Sequence, residues 1–209
     1  MKKYELTEET TNIFGKTLHR IRATRDFSNV HAGDLGGFIE DERNLSHDEN
    51  AWVSGKALVS GEARVGGDAW VYGNARVCGN ALVGGNAWVG GNARVCGNAR
   101  VYGEALVCGE ALVSGNARVY GEALVCGNAR VKGPRDIYWI SCIGSRDGTT
   151  TFFRNANNGI SVSCGCFYGT IDEFAAAVTK THGDNEHARA YRHAIEIAKL
   201  RIKLTDAES

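Results

Sequence analysis

The chain has one proline and one methionine among its 209 residues, and no histidine between residues 49 and 133. It carries no net charge, with 24 Lys+Arg against 24 Asp+Glu, and no apolar run near the roughly 20 residues that cross a bilayer. Each absence excludes something. Without proline a long stretch can keep donating backbone N–H groups to its neighbours. Without histidine the same stretch has neither an imidazole general base nor a His-ligated metal site. Balanced charge removes the global attraction that nucleic acid or acidic substrates would need, which argues against nucleic acid as a partner. With no spanning segment and no basic-then-apolar leader, the expectation is a soluble, cytoplasmic protein with no membrane contact.

Glycine is abundant instead, and it is periodic. From Glu49 to Lys132 one six-residue word recurs fourteen times without insertion, as in Gly73-Asn74-Ala75-Arg76-Val77-Cys78 and Gly121-Glu122-Ala123-Leu124-Val125-Cys126. Gly returns at every sixth position from Gly55 to Gly133, Ala from Ala51 to Ala129 and Val from Val53 to Val131. A short fixed period marks a repeat architecture. A-x-V is a period-two strand, with Ala and Val on one side and the middle residue on the other. Gly and Asn tolerate the positive φ of a sharp corner. Each hexad is therefore one short strand and one corner, and three hexads close a triangular coil of eighteen residues. The fourteen hexads make a little under five coils, a stiff prism of roughly 22 Å at about 4.8 Å per coil.

Taken eighteen apart, the outward residues separate three faces. One carries Trp52, Trp70, Trp88, Leu106 and Leu124; the second Leu58, Arg76, Arg94, Leu112 and Arg130; the third Arg64, Leu82, Arg100 and Arg118. The first face's hexads hold Glu49, Asp68, Glu104 and Glu122 with no base; the second's hold Lys56, three Arg and Lys132 against Glu110; the third's hold three Arg against Glu62. A five-rung Trp/Leu strip is too large an apolar surface to stand bare. The expected cover is a terminal segment, a second subunit or a partner protein, with aromatic stacking on a sugar or base as a further alternative. The arginine ladders read either as solvated faces or as sites for a phosphate-bearing ligand on the pairs Arg76/Arg94 or Arg100/Arg118.

The spacing V-x-G-N-A-x resembles the hexapeptide-repeat family, and the resemblance implies a left-handed parallel β-helix. That family includes acyltransferases, γ-type carbonic anhydrases and structural proteins. The acyltransferases use a His on the coil and the carbonic anhydrases three His around a metal; residues 49–133 offer none, and uninterrupted hexads leave no excursion loop. A non-catalytic rod is the better expectation, with acyl transfer a distant alternative. The lead-in, with Lys3-Tyr4-Glu5-Leu6, His19-Arg20-Ile21-Arg22-Ala23, Asp26-Phe27, Gly33-Asp34-Leu35-Gly36-Gly37-Phe38-Ile39-Glu40 and Asn44-Leu45-Ser46, resembles the YdcK-like branch found in bacterial, phage and prophage proteins. That branch implies no agreed activity.

Residues 1–48 read as an N-terminal β cap, with a strand over Leu18–Ala23 and close turns at Gly33, Gly36 and Gly37 before Phe38 and Ile39 cover the open end. Residues 49–133 are the β-helix. Gly133-Pro134 stops the hexads, and residues 134–209 read as a small α+β domain of order β-β-β-α-α. Its strands fall at Ile137–Ile143, Thr149–Arg154 and Ile160–Cys166. Thr170-Ile171-Asp172-Glu173 is a capping box for a helix ending at Gly183, and a second helix carries the stripe Ala188, Tyr191, Ala194, Ile195, Ala198 and Ile202.

The seven Cys are expected as free thiols, although Cys78/Cys96 and Cys108/Cys126 should stack within disulfide range. A zinc reading would join Cys142, Cys164 and Cys166 to His182 or His187, but C-x-C is tighter than the usual knuckle. A Cys nucleophile with His182 lacks an orienting partner. Buried small thiols beside a helix-terminal His are the plainer reading, and no cofactor is implied. The resulting expectation is a homo-oligomeric, non-catalytic binding or scaffold protein holding a protein partner; the YdcK-like resemblance implies a phage product that blocks a host defence protein. The alternative is a binder or sponge for an anionic, phosphorylated or nucleotide signalling molecule.

Overall fold

The computed structural model describes residues 2–204. Three strands, β1 (Tyr4–Ile13), β2 (Lys16–Ala23) and β3 (Leu35–Ile39), form an antiparallel sheet at the N-terminus. β3 then pairs in parallel with the first rung of the prism's second face, Phe38 opposite Leu58 and Ile39 opposite Val59. Parallel pairing thus starts before the first hexad. Gly36 and Gly37 lie inside β3 rather than in turns. A Cβ on either would come within 2.6 Å of the Val53 or Ala57 carbonyl oxygen, so glycine there permits close backbone approach, not a bend.

Fourteen two-residue rungs follow, from Trp52–Val53 to Arg130–Val131. They form three parallel stacks with an eighteen-residue register, so that Trp88 lies between Trp70 and Leu106, and Arg94 between Arg76 and Leu112. Every A-x-V strand with a coil after it donates twice to that coil: the Arg76 N–H reaches the Ala93 carbonyl at 2.9 Å and the Cys78 N–H the Val95 carbonyl at 2.9 Å. Ala and Val fill the axis because the triangle is too narrow for larger side chains. Ala75, Val77, Ala93 and Val95 are fully buried. At the corners Gly85 has φ +61°, and an added Cβ would lie 2.9 Å from the Gly103 nitrogen. Conformation and space both demand glycine there. Asparagines beside these glycines form amide ladders, Asn80 to Asn98 at 3.1 Å and Asn98 to Asn116 at 3.3 Å.

Both ends of the prism are covered. At the first coil the buried Lys3 ammonium donates to the carbonyls of Asp48, Glu49 and Ala51 at 3.3, 3.3 and 2.8 Å. Burial, and then the nearby Arg25 charge, pull Lys3 down to about 8. Tyr4 donates to the Leu45 carbonyl at 2.8 Å and stacks on His47 at 4.2 Å. At the last coil the C-terminal sheet lies across the opening: the Leu124 N–H donates to Thr151 Oγ1 at 3.0 Å, the Ala156 N–H donates to the Asn128 carbonyl at 3.0 Å, and Ile137 and Phe153 join the solenoid core. Covered ends prevent another chain from adding a coil.

The C-terminal sheet has four antiparallel strands, Ile137–Ile143, Gly148–Arg154, Ile160–Cys164 and Phe167–Thr170. Three strands were expected. The fourth arises because Gly165, at φ +56°, turns the chain so that Phe167 pairs back with Cys164. α1 (Ile171–His182) opens on a reciprocal box, in which Thr170 Oγ1 accepts the Glu173 N–H at 3.2 Å and Glu173 accepts the Thr170 N–H at 2.7 Å. Gly183, at φ +57°, follows as its C-cap. α2 (Glu186–Arg201) is capped by Asn185. Ala188, Tyr191, Ala194, Ile195, Ala198 and Ile202 pack with Phe152, Val162 and Phe174 in a core separate from that of the solenoid.

Candidate binding faces

The Trp/Leu ladder is buried at its first rung, half-covered at its last and most open at Trp88. Trp52 is 2% exposed, held edge-on by Phe27 at 5.4 Å and by Tyr4 at 6.5 Å. Leu124, at the other end, lies under the strand carrying Thr151 and beside the C-terminal cavity. Between them Trp70 and Trp88 stack at 6.0 Å, Tyr72 meets Trp88 edge-on at 5.9 Å, and Trp88 is 49% exposed. Terminal segments therefore bury the Trp52 rung, half-cover Leu124, and leave Trp88 exposed between the half-buried Trp70 and Leu106.

The arginine pairs are brought together as their spacing requires: Arg76 opposite Arg94, and Arg100 opposite Arg118. Among the described residues none of Arg64, Arg76, Arg94, Arg100 and Arg118 makes an ion pair. On the second face Arg76 and Arg94 line a recess of about 420 Å³ with Asn74, Asn92, Glu110 and Arg130. Within that lining Arg130 is already engaged, donating to the Glu110 and Ala129 carbonyls at 3.0 and 2.8 Å. On the third face Arg64, Arg100 and Arg118 line a larger cleft of about 830 Å³, together with Leu82, Tyr102 and Arg43.

Sequence reasoning did not include Arg43 or Tyr102. Arg43 reaches the third face because a short 3-10 turn, Glu42–Asn44, is closed by a capping box on Asp41. Asn44 pins that turn by donating to the Gly61 and Ala63 carbonyls at 2.9 and 2.8 Å. The Asp41-x-x-Asn44 pattern was the available signal. Tyr102 sits at the corner position that Cys and Ser occupy in other hexads, and only the eighteen-residue register places it beside this face.

The sulfur candidates divide. All seven cysteines are free. Cys78 and Cys96 are hydrogen-bonded neighbours whose thiols burial pushes up. Cys108 and Cys126 also share a hydrogen bond. Donation from Cys108, with Ser163 Oγ at 3.2 Å, draws Cys126 down to about 7 while Cys108 is held far above the ordinary thiol range. In the C-terminal domain, Cys164, Cys166 and His182 line one cavity of about 500 Å³ with Phe174, Val178 and Tyr191. Cys142 is not among that cavity's lining residues; it is exposed, at positive φ in an irregular stretch of its strand. Cys164 accepts from Thr150 Oγ1 at 3.1 Å, and the His182 ring lies 5.7 Å from His187 and 5.9 Å from Tyr191. Among the described residues no three His, Cys, Asp or Glu side chains are grouped to hold a metal ion. No helix among them is long and apolar enough to cross a membrane.

Comparison with protein families places three consecutive stretches, residues 75–91, 93–109 and 111–127, in the YdcK β-solenoid repeat. Each stretch covers nearly one coil, and together they span the middle of the prism. No curated protein matches the chain.

Proposed function

We propose that this YdcK-type solenoid is a non-catalytic binding scaffold whose open Trp70, Trp88 and Leu106 rungs seat a second copy of the same chain. The observation that carries this reading is the incomplete cover of the ladder: Trp52 is buried by the chain's own N-terminal segment and Leu124 is half-covered by the C-terminal sheet, while Trp88 remains 49% exposed at the centre. Charge favours a second copy as the occupant. The hexads of the open face hold Asp68, Glu104 and Glu122 without a base, whereas the second face carries Lys56 and Arg76 and Arg94, which make no ion pair among the described residues. A head-to-tail contact between these unlike faces aligns opposite charges around an apolar centre.

Native mass spectrometry of the wild type and of a Trp88→Ser/Leu106→Ser variant tests it. The wild type should be oligomeric and the variant a 22.5 kDa monomer with an unchanged circular dichroism spectrum. A wild-type monomer at micromolar concentration overturns self-association and leaves the open rungs to a partner of another kind.

A second reading has its own support. Five arginines without carboxylate partners among the described residues, on two faces, are suited to an anionic small molecule, because guanidinium groups bind phosphate bidentately. Retention of a phosphorylated compound in the same mass spectra would support it.

A further inference from the structure

The corner between the third face and the Trp/Leu face is one column of residues eighteen apart: Gly66, Gly84, Tyr102 and Tyr120. The two tyrosine rings stack at 5.1 Å with 8° between their planes, and Trp139 closes the upper end edge-on to Tyr120 at 4.4 Å. The aromatic column stops at Tyr102. Below it Gly84 and Gly66 contribute no side chain.

Gly84 is not there for backbone reasons. It is not at positive φ, and an added Cβ would meet nothing nearer than the Gly66 carbonyl oxygen at 4.0 Å. Gly90, at another corner, is different: the Tyr72 ring fills the space over it, and a Cβ there would lie 2.0 Å from that ring. One glycine is occupied by a neighbouring aromatic; the other leaves a slot continuing an aromatic stack.

That slot opens onto the cleft of about 830 Å³ lined by Arg43, Arg64, Leu82, Arg100, Tyr102 and Arg118. Leu82 lies between Arg64 and Arg100 in the register and supplies an apolar floor. Arg100 and Arg118 are adjacent rungs and make no ion pair among the described residues. Arg43 faces the cleft from outside the repeat and has Glu62 at 3.2 Å. The volume lies within the roughly 300–1,000 Å³ of small-molecule sites. A flat ring position beside four guanidinium groups calls for a ligand that is aromatic at one end and multiply anionic at the other.

We propose that this cleft binds a nucleotide bearing two or more phosphates, its base continuing the Tyr120–Tyr102 stack over Gly84 and its phosphates held by Arg100 and Arg118. This rests on the anionic-ligand reading and narrows it from two arginine faces to one.

Isothermal titration calorimetry with ATP and, separately, with inorganic tripolyphosphate tests it. Three variants are compared with wild type: Gly84→Phe, which fills the slot and spares the arginines; Arg100→Gln/Arg118→Gln; and Arg76→Gln/Arg94→Gln on the second face. Thermal melts confirm that each is folded. ATP should bind the wild type more tightly than tripolyphosphate. Gly84→Phe should weaken ATP by roughly five- to a hundredfold, the range of a lost base–aromatic stack, and leave tripolyphosphate unchanged. The Arg100/Arg118 variant should weaken both probes and the Arg76/Arg94 variant neither.

Equal affinity for both probes, or ATP binding indifferent to Gly84→Phe, overturns the nucleotide assignment while leaving an anion site standing. Loss confined to the Arg76/Arg94 variant moves the anion site to the second face and also overturns the assignment. If neither probe binds the wild type, both the nucleotide assignment and the anionic-ligand reading fall.

Discussion

In the solenoid, the residues above and below any position are those eighteen places away in the chain; in the C-terminal domain, neighbours come from four strands and two helices with no common spacing. Val95 touches Val77 and Val113 because of a period. Phe174 meets Phe152, Phe167 and Tyr191 at 6.0, 5.2 and 5.3 Å only because a sheet, a capped helix and a second helix converge. The difference concerns where stability resides. A repeat stack spreads it over many small, equivalent contacts. A miniature α+β unit concentrates it in a few aromatic side chains.

The strongest way to break this contrast is a charge on the solenoid axis. Val95→Asp places an unpaired carboxylate among Ala and Val with no polar partner, and the expected loss is on the order of 5 kcal/mol or more, read as collapse of the cooperative thermal transition. Phe174→Ala should cost about 3–5 kcal/mol. Its effect should stay in the second core, so hydrogen exchange should accelerate in α1 and α2 while the amides of Arg76 and Cys78 remain protected. If those solenoid amides lose protection as well, the two cores form a single cooperative unit and the comparison fails. Thr170→Ala, which removes half of a helix cap, is smaller at about 1 kcal/mol, and chemical denaturation of the C-terminal transition measures it.

The smallest effect is pH-dependent and belongs to the N-terminal cap. His47 Nδ1 accepts the Lys3 N–H at 3.2 Å, and burial lowers the folded-state affinity of this imidazole for a proton below its ordinary value. The unfolded chain therefore takes up the proton first as pH falls through about 6.5, the ordinary imidazole value. The stabilisation is present above that pH and lost below it. Melting temperature should decline from pH 7 to pH 5 in the wild type and decline less in His47→Gln.

Legibility tracks periodicity. The outward residues Arg76, Arg94, Arg100 and Arg118 could be paired from the sequence because translation by eighteen residues sets register without reference to anything else. The Thr170–Glu173 cap was readable because its signal is confined to four residues. Phe167–Thr170 was missed as a strand because the turn before it depends on Gly165 adopting positive φ in a run that otherwise looks continuous. The part played by Arg43 in the third-face cleft was missed because the turn that presents it is fixed by Asn44 reaching carbonyls at Gly61 and Ala63.

By itself the sequence determined the rungs, the glycine corners, the three faces and what each displays, because a repeated word leaves one way to stack identical hydrogen-bonding units. Only the tertiary structure decided which rungs stay open. Phe27 and Tyr4 bury Trp52, and the strand carrying Thr151 half-covers Leu124. Those outcomes depend on segments that share no period with the repeat and reach it only after the chain has folded back on itself.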